Sequence, residues 1–528
     1  FQEELEAKLK KGVDTLANAV KTTMGPKGKL VLIQRGHGHP SVTKDGVTVA
    51  SAINLIDEVE NLGVKVLKEA ASRTADEAGD GTTTATVLAQ AIFSEGLKMK
   101  NAGFQQDLVK KGIEVAVNSV KESLSRQKRD IKNKSELKQV ALISANGEEE
   151  ISELIVDAIQ AAGVDGSVIV EEAKGFGSSL TIVEGYRLER GFLSPYFVTD
   201  KDRVLTEFSN PLILLADREF STIRDLMHIL ELSLESSRPL LIIANNIDGD
   251  ALQGLVLNKV KGSLRVCAIR SPGFGASRYE QLLDLQSITG GTIVNSTTDL
   301  KNFDIEDFGQ IKKVIVGKAS SMLVSEEGKK SEKIDNRIAG IKENLKDEAL
   351  EGPEIELLRY RLQQLSGGIA ILRVGAATES ELVERYDRVD DALNATKAAL
   401  QEGILAGGGV ALVRSQKDVL KLIEKEKNDD IRSGMTIISK AVTEPFKQII
   451  RNGTNSPDGL LKDILTSKST IGYDARREVM GDMFKTGIVD PHKVVRCAIE
   501  NAASAAVMLL SVGCCLIDIE NESHEIDS

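Results

Sequence analysis

A change of hydrophobic period that happens twice is what most constrains this chain. Up to about residue 125 the pattern is helical. Val59, Leu62, Val66 and Ala70 recur at spacings of three and four, which places them on one helical face, and Thr82 to Leu97 is a second helical run rich in Ala, Leu and Val. From about Gly185, short apolar runs at 212–216, 240–244, 265–269 and 292–294 alternate with helical segments, the pattern of an α/β domain with a parallel component. Two amphipathic helices follow. One carries Ile334, Ile338, Ile341 and Leu345 and stops at Gly352-Pro353; the other carries Leu358, Leu362 and Leu365 and stops at Gly367-Gly368. From Asp390 the helical character returns, interrupted by Gly407-Gly408-Gly409. Helical ends around an α/β centre imply a middle domain inserted into a discontinuous one. The charge run 126–138 reads as a solvated surface or a domain junction.

At 528 residues the chain has room for three or four domains of about 150 residues each. Its 67 basic and 79 acidic residues give a net charge of −12, which argues against nucleic acid or an anionic membrane as partner, since both require a positive field. Aromatic residues are 4% and Trp is absent, so a base-stacking platform would have few rings. The longest chargeless apolar run, 502–517, is too short to span a bilayer comfortably. No signal peptide is visible, and the four cysteines (Cys267, Cys497, Cys514, Cys515) form no C-x-x-C pair. A soluble protein of a reducing compartment is expected, cytoplasmic or, if a transit segment has been trimmed, in an organelle matrix.

The strongest local signal for chemistry is Gly79-Asp80-Gly81-Thr82-Thr83-Thr84, directly before an apolar helical run. Glycines permit a tight turn, the N–H groups opening the helix form an anion site, three hydroxyls add donors, and Asp80 is a hard oxygen ligand suited to Mg²⁺. An ordinary Thr-rich helix start explains the same letters. Three other glycine-bracketed segments could converge on it: Gly25-Pro26-Lys27-Gly28, Lys44-Asp45-Gly46, which reads as a tight turn between strands, and Gly407-Gly408-Gly409. Each has a bland reading as a connector or a close helix contact. No G-x-x-x-x-G-K-[ST] and no H-E-x-x-H occurs, which disfavours a P-loop NTPase and a zincin. His37 and His39 could touch a metal, but their spacing fits a loop better.

The segments 24–28 (MGPKG), 43–47 (TKDGV), 79–86 (GDGTTTAT), 143–146 (ISAN), 190–197 (RGFLSPYF), 271–275 (SPGFG), 374–379 (VGAATE) and 406–412 (AGGGVAL) occur in the order found in group I, GroEL-like chaperonins. The chain resembles that family over nearly its whole length. The resemblance implies a chaperonin fold of three domains: a discontinuous helical equatorial domain at 1–126 and 402–528, a small intermediate domain at 127–183 and 370–401, and an inserted α/β apical domain at 184–369. Hinges fall near Gly185, Gly368 and Gly403, the last facing a charged stretch near Asp130.

By the same resemblance the protein is an ATPase using ATP and Mg²⁺, with K⁺ as a further family cofactor. Met24, Gly25 and Pro26 run along the phosphates beside Lys44; Asp80 holds the metal; Gly81, Thr82, Thr83 and Thr84 cradle the β- and γ-phosphates. Asp45 lies near the γ-phosphate, and Asp391 orients the attacking water. Ser144, Gly407, Gly408, Asp474, Ala475 and Asp490 lie on the nucleoside side, where relatives commonly carry Asn-Ala-Ala and this chain has Asp474-Ala475-Arg476. Helical stripes in the apical domain read as core faces when taken alone. The resemblance instead makes Phe192, Tyr196, Phe197, Met227, Leu230, Leu252, Val256 and Leu257 a cavity-facing surface for non-native client proteins, in a homo-oligomeric ring of seven subunits, single or double, with a co-chaperonin lid as a further partner. The acidic tail 520–528 and the segment 451–471 depart from the common pattern and leave a single ring open. A ring-forming scaffold that has lost productive cycling is the alternative reading, and a small-molecule kinase on the same loops a weaker one.

Overall fold

The computed structural model describes residues 2–516 apart from 35–40, 146, 163–167, 174, 202, 274, 296–297, 299, 326–331, 346–351, 367 and 454–455. His37, His39 and the 520–528 tail lie outside the described residues. The chain forms two compact units, Phe1–Asp157 with Val170–Ser179 and Val374–Ser528, and Ala158–Ile169 with Leu180–Arg373. The expected insertion is therefore present. The helical ends fall in one unit together with the 379–402 stretch, and the α/β centre forms the other.

The first unit is a helical bundle in which both chain ends contribute to one core. Helices Gln2–Val20, Glu58–Ala78, Thr82–Asn101 and Gln106–Gln127 from the N-terminal part pack with Val410–Lys425, Asp429–Ala441 and His492–Leu510 from the C-terminal part. Leu16, Leu67, Leu88, Ile92, Ile113, Ile437 and Ile499 are among its fully buried side chains. Local chemistry sets the helix ends. The Asp57 carboxylate accepts from the Val59 and Glu60 N–H groups, and Asn428 Oδ1 from Asp430 and Ile431, each cap contributing about 1 kcal/mol. Gln106–Gln127 and Asp429–Ala441 cross at glycines: a methyl added to Gly112 would stand 2.1 Å from the Ile431 carbonyl oxygen, and one on Gly434 2.1 Å from that of Val109. The first part of the apolar run expected near the C-terminus, 502–510, lies in the His492–Leu510 helix, where Ala502, Ala503, Ala506, Leu509 and Leu510 are buried in this core. Among the described residues no helix is long and apolar enough to cross a membrane. All four cysteines are free.

The segments around 129 and 404 run side by side, with Arg129 N–H donating to the Ile404 carbonyl (2.9 Å) and Ile404 N–H to that of Arg129 (2.8 Å). Gly403 has φ 84°, and a side chain there would meet the Arg129 carbonyl oxygen at 2.6 Å. Beyond it, helices Lys134–Ser144 and Glu379–Glu402 pack through Val140 and Ala399.

In the second unit, the four expected apolar runs are strands. Leu212–Phe220 pairs in parallel with Leu240–Ile247, which pairs in parallel with Val266–Arg270, in the register Leu212–Leu240–Val266. Ile293–Val294 also pairs in parallel with Leu212–Phe220, while Gly309–Gln310 pairs antiparallel. Leu212–Ala216 and Leu240–Ala244 have no exposed surface, which explains why they read as unbroken apolar runs rather than alternating ones. An antiparallel sheet contains Ser179–Leu188, Ser321–Val324, Lys313–Val316 and Thr206–Ser209, adjacent in that order. Gly352-Pro353, read as a helix stop, opens the helix Gly352–Ser366 instead; proline is well placed in a first turn because its missing N–H would be unpaired there. Asp284, fully buried, accepts from Arg361 Nε and Nη2 (2.7 and 2.8 Å) and from Arg337 Nε (2.7 Å), tying three helices through one carboxylate.

Gly112→Ala forces the helix crossing apart and lowers the thermal midpoint, at a cost of about 1–3 kcal/mol. Gly340→Ala, in an exposed helical position with nothing within 4 Å, stabilises by up to about 1 kcal/mol. A thermal unfolding series over the two variants checks both signs.

Candidate functional site: a carboxylate cluster at an uncapped helix start

Asp80 sits between two left-handed glycines. Helix Glu58–Ala78 ends on Gly79 (φ 73°), and helix Thr82–Asn101 starts from Gly81 (φ 91°). A side chain would be strained at either position and would also lack space: an added methyl lies 2.3 Å from Asn394 Cβ at Gly79 and 2.6 Å from Val494 Cγ1 at Gly81. No side chain caps the N-terminus of the 20-residue helix Thr82–Asn101, so the N–H groups of its first turn are left for an anion, beside the Thr82, Thr83 and Thr84 hydroxyls. Gly81 N–H also donates to Asp80 Oδ1.

Three further segments close on this turn. Gly46 packs so tightly that an added methyl would stand 2.4 Å from Thr83 Oγ1. The 44–46 turn was expected between strands; it leads instead from strand Ser41–Thr43 into helix Gly46–Ala52, and the Asp45 carboxylate is that helix's cap, accepting from Val47 N–H (3.2 Å) and Thr48 N–H (2.6 Å). Spacing alone hides this, because the letters that make a turn also make a cap. Lys44 Nζ donates to the Gly25 carbonyl (3.1 Å), joining the 24–28 loop to the site. Asn452 Nδ2 pins that loop through the Lys21 and Met24 carbonyls, both at 2.9 Å; Met24 is buried and Pro26 exposed.

On another side, strand Ile404–Ala406 pairs with Val489–Pro491, setting Leu405 opposite Asp490. Gly407 follows that strand, and a methyl added to it would stand 3.0 Å from Asp490 Oδ1. Gly408 and Gly409 (φ 65° and 77°) turn their N–H groups onto the Asp490 carboxylate at the start of helix Val410–Lys425. Burial, followed by the charge of Asp80, pushes the Asp490 carboxyl up to about 6 despite those two donors.

Asp391 comes from helix Glu379–Glu402. Burial, then the charges of Asp80, Asp45, Asp390 and Asp387, hold its carboxyl well above the usual range. Burial and Asp45 likewise raise Asp80, against the Gly81 N–H. Asn394, three residues on from Asp391, faces Gly79; a helical period from Asp387 through Asp391 to Asn394 was the signal available for that face. Burial and the guanidinium groups of Arg388 and Arg476 hold the Lys44 ammonium below the usual lysine range, and Arg388 pairs with Glu148 and Glu384.

Of the residues expected on the nucleoside side, Asp474 and Ala475 lie in the hairpin Ile471–Asp474/Val479–Asp482 and its turn. Asp474 Oδ1 accepts from Arg476 N–H (2.9 Å) and Arg477 N–H (3.0 Å), so this carboxylate is committed to the turn. Ala475 belongs to an apolar cluster with Ala406, Val410 and Phe446, and Ser144 is the half-buried last residue of helix Lys134–Ser144.

Aspartates whose charges raise the proton affinity of Asp391 are relieved by a cation, and an uncapped helix start with three hydroxyls by an anion. The donor set therefore fits a polyphosphate carrying a divalent metal. Among the described residues no group of three or more His, Cys, Asp or Glu encloses a metal-sized space by itself. Mg²⁺ commonly takes one or two carboxylates and completes its shell with phosphate oxygens and water, and Asp80 is a carboxylate that could serve such a shell.

The family description of TCP-1/cpn60 chaperonins matches residues 16–519. The chain belongs to the TCP-1/cpn60 chaperonin family. Members of this family are ATPases that bind non-native proteins and assemble into rings. Two crystal structures of the chaperonin gp146 from bacteriophage EL 2 (Pseudomonas aeruginosa), both in the presence of ATP-BeFx, are similar to this chain, with TM-scores of 0.67 and 0.61. Each is 24% identical over 96% of this chain and 97% of that one, so this chain has the chaperonin fold.

In the second unit the expected client residues divide. Tyr196 (65% exposed), Met227 (47%) and Leu257 (53%) face solvent, while Phe192, Leu252 and Val256 are half-buried against the core. Leu230 (6%) and Phe197 (0%) are core residues, so neither offers a surface to a client, which corrects the expectation for both. Leu234 (52%) and Val260 (61%), one turn further along the helices Met227–Glu235 and Gly249–Val260, are exposed as well.

The raised Asp490 carboxyl carries a pH signature. Its folded-state value of about 6, against 3.8, favours the protonated form, so stability present at low pH is lost as pH rises through 6. In the nucleotide-free protein Asp490→Asn stabilises by about 1–3 kcal/mol at pH 7.5, and the gap narrows toward pH 4.5. Thermal melts at the two pH values check the sign.

Proposed function

We propose that this chain is an ATP-driven folding chaperone: it hydrolyses ATP in the helical unit and captures non-native proteins on the exposed apolar face of the α/β unit. The observation that carries the reading is the convergence of Asp391 with Asp80 and Asp45 on the uncapped helix start at Gly81–Thr84. Phosphoryl transfer needs a polyphosphate held by many donors, charge neutralisation and one oriented nucleophile. The 81–84 N–H and hydroxyl groups donate to the phosphate oxygens, with the Met24–Gly28 loop and Lys44 on their other side. Mg²⁺, when bound at Asp80, supplies charge neutralisation at the phosphates. Asp391 orients the attacking water and accepts its proton, a role suited to a carboxylate whose proton affinity burial and neighbours have raised. Asp45, already accepting two backbone N–H groups, acts through its charge.

Tyr196, from the Pro195–Phe197 turn, with Met227, Leu234, Leu257 and Val260 from the helices Met227–Glu235 and Gly249–Val260, form the client surface; large exposed apolar side chains favour apolar segments without selecting a sequence. A ring of seven subunits multiplies these weak contacts into capture. Nucleotide can regulate capture only by binding one conformation more tightly than the other, so the two activities are coupled by that difference in affinity. The three-domain partition at 126, 183, 369 and 401 supplies the moving parts of this reading, and a lid protein closes the chamber.

Asp391→Ala retains ATP binding while steady-state hydrolysis falls at least about 100-fold; undiminished turnover removes Asp391 from this role. Leu257→Asp combined with Val260→Asp abolishes suppression of aggregation of a denatured enzyme and leaves ATP hydrolysis within about two-fold of wild type. Wild-type protein that hydrolyses ATP yet never improves refolding, with or without a lid protein, is the scaffold of the alternative reading.

A further inference from the structure

Helix His492–Leu510 opens on a histidine to which the ATP-site reading gives no task. Among the described residues His492 is the only buried histidine, 4% exposed, and its backbone N–H and both ring nitrogens are engaged. The N–H donates to the Gly403 carbonyl (3.0 Å), which fixes the backbone. Nδ1 lies 2.8 Å from Glu402 Oε2, and Nε2 lies 3.4 Å from Ser125 Oγ. Against the upward push of burial, hydrogen bonds from Arg496 and His492 hold the Glu402 carboxyl below the usual range, so it is ionised. An ionised carboxylate only accepts. The imidazole proton therefore sits on Nδ1, and Nε2 is left as the acceptor facing the Ser125 hydroxyl.

Three elements far apart in sequence thus supply a hydroxyl, an imidazole and a carboxylate in line: the last turn of helix Gln106–Gln127, the first residue of His492–Leu510 and the last of Glu379–Glu402. That is the order of nucleophile, base and orienting group in acyl transfer, and such hydrogen bonds are commonly as long as 3.4 Å before substrate binds. The orienting group is itself held. Arg496, one turn on from His492, donates to both Glu402 oxygens through Nε (3.2 Å) and Nη2 (2.7 Å). The hydroxyl is reachable: Ser125 is exposed and lines an open cavity of about 630 Å³ with Asn118, Lys121, Glu122, Arg126 and Arg496. A space of that size suits a small molecule. Asn118, Lys121 and Arg496 bring N–H donors to the cavity that holds the hydroxyl, as a developing oxyanion requires. Lys121 and Arg496 both pair with Glu500, so their charge is balanced and a neutral substrate is favoured.

We propose that Ser125, His492 and Glu402 form a second active site, which hydrolyses small neutral carboxylic esters through an acyl-serine intermediate. His492 Nε2 takes the Ser125 hydroxyl proton as Oγ bonds to the ester carbonyl carbon, and the carbonyl electron pair moves onto its oxygen. When the tetrahedral species collapses, the bond to the alcohol oxygen breaks and that oxygen takes the proton from Nε2. Water then attacks the acyl group in the same way, giving a proton to Nε2; the bond to Oγ breaks, and Oγ takes the proton back. Ester and water have become carboxylic acid and alcohol. Ser125 and His492 are the catalytic residues, and Glu402, which acts through His492, is a positioning residue. The site shares no residue with the Asp45, Asp80 and Asp391 cluster, so it stands independently of the ATP-site reading.

The test is hydrolysis of p-nitrophenyl acetate by the full-length chain without nucleotide, for wild type, Ser125→Ala and Glu402→Gln purified alike, together with a fluorophosphonate probe whose attachment is located by peptide mass spectrometry. Wild type is expected to turn over the ester, and Ser125→Ala to lose at least about 100-fold in kcat. Ser125 is exposed, so removing its hydroxyl leaves the thermal midpoint unchanged and the loss is not one of folding. Glu402→Gln is expected to lower kcat at least about ten-fold with KM unchanged, a split that a packing role does not produce. The probe is expected to modify Ser125 in the wild-type protein, a result that needs no variant to fold. Wild-type protein that neither turns over the ester nor carries the probe on Ser125 overturns the inference, and so does a Ser125→Ala variant as active as wild type. Unchanged kcat in Glu402→Gln overturns the positioning role. Each of these outcomes can be read whether or not the protein binds ATP, so failure here and failure of the ATP-site reading are separate results.

Discussion

A single apolar core built from both ends of the chain is the constraint on which the rest depends. Leu16, Leu67 and Ile92 come from the first part, Ile437 and Ile499 from the last, and they are packed together without exposed surface. Only that closure brings Asp490 within electrostatic reach of Asp80, and sets Val494 against Gly81 so closely that no side chain fits there. The tight crossing of Gly112 and Gly434 shows how little slack the arrangement has. Close-packed helices transmit position well, so a site assembled at their ends inherits their precision.

What the core assembles is electrostatically unfavourable by itself. The charges of Asp45 and Asp80 both raise the proton affinity of the buried Asp391, and those of Arg388 and Arg476 reach Lys44. A fold selected only for stability would separate such charges. Aspartates gathered at a helix start that no side chain caps are what a metal-bearing polyphosphate satisfies in a single binding event. The unfavourable energy of the empty arrangement is in this sense a measure of the ligand it suits.

The α/β unit follows the opposite logic. Its sheet is buried as thoroughly as any in a parallel fold, with Leu212–Ala216 and Leu240–Ala244 fully covered, yet the helices beside it leave Met227, Leu257 and Val260 uncovered. The same two helices bury Leu230 and Leu255. One helix therefore carries both a core face and a sticky face, and a stripe of apolar residues cannot say which is which. Phe197 and Tyr196, neighbours in sequence, make the point: the first is in the core and the second in solvent.

Local chemistry was legible in the letters. The left-handed glycines around Asp80, the strands at 212–216 and 240–244, the inserted middle and the family resemblance all rest on short-range spacing or on collinear motifs, which a one-dimensional string carries in full. Other features were decided by tertiary packing: Asp45 spends its carboxylate on a helix cap, Asp474 on its own turn, Asn394 faces Gly79, and Arg476 crosses to Gly147. The physical reason is range. Backbone conformation and hydrophobic period depend on neighbours a few residues away, whereas burial, charge proximity and the direction of a long side chain depend on which distant segments the core brings together.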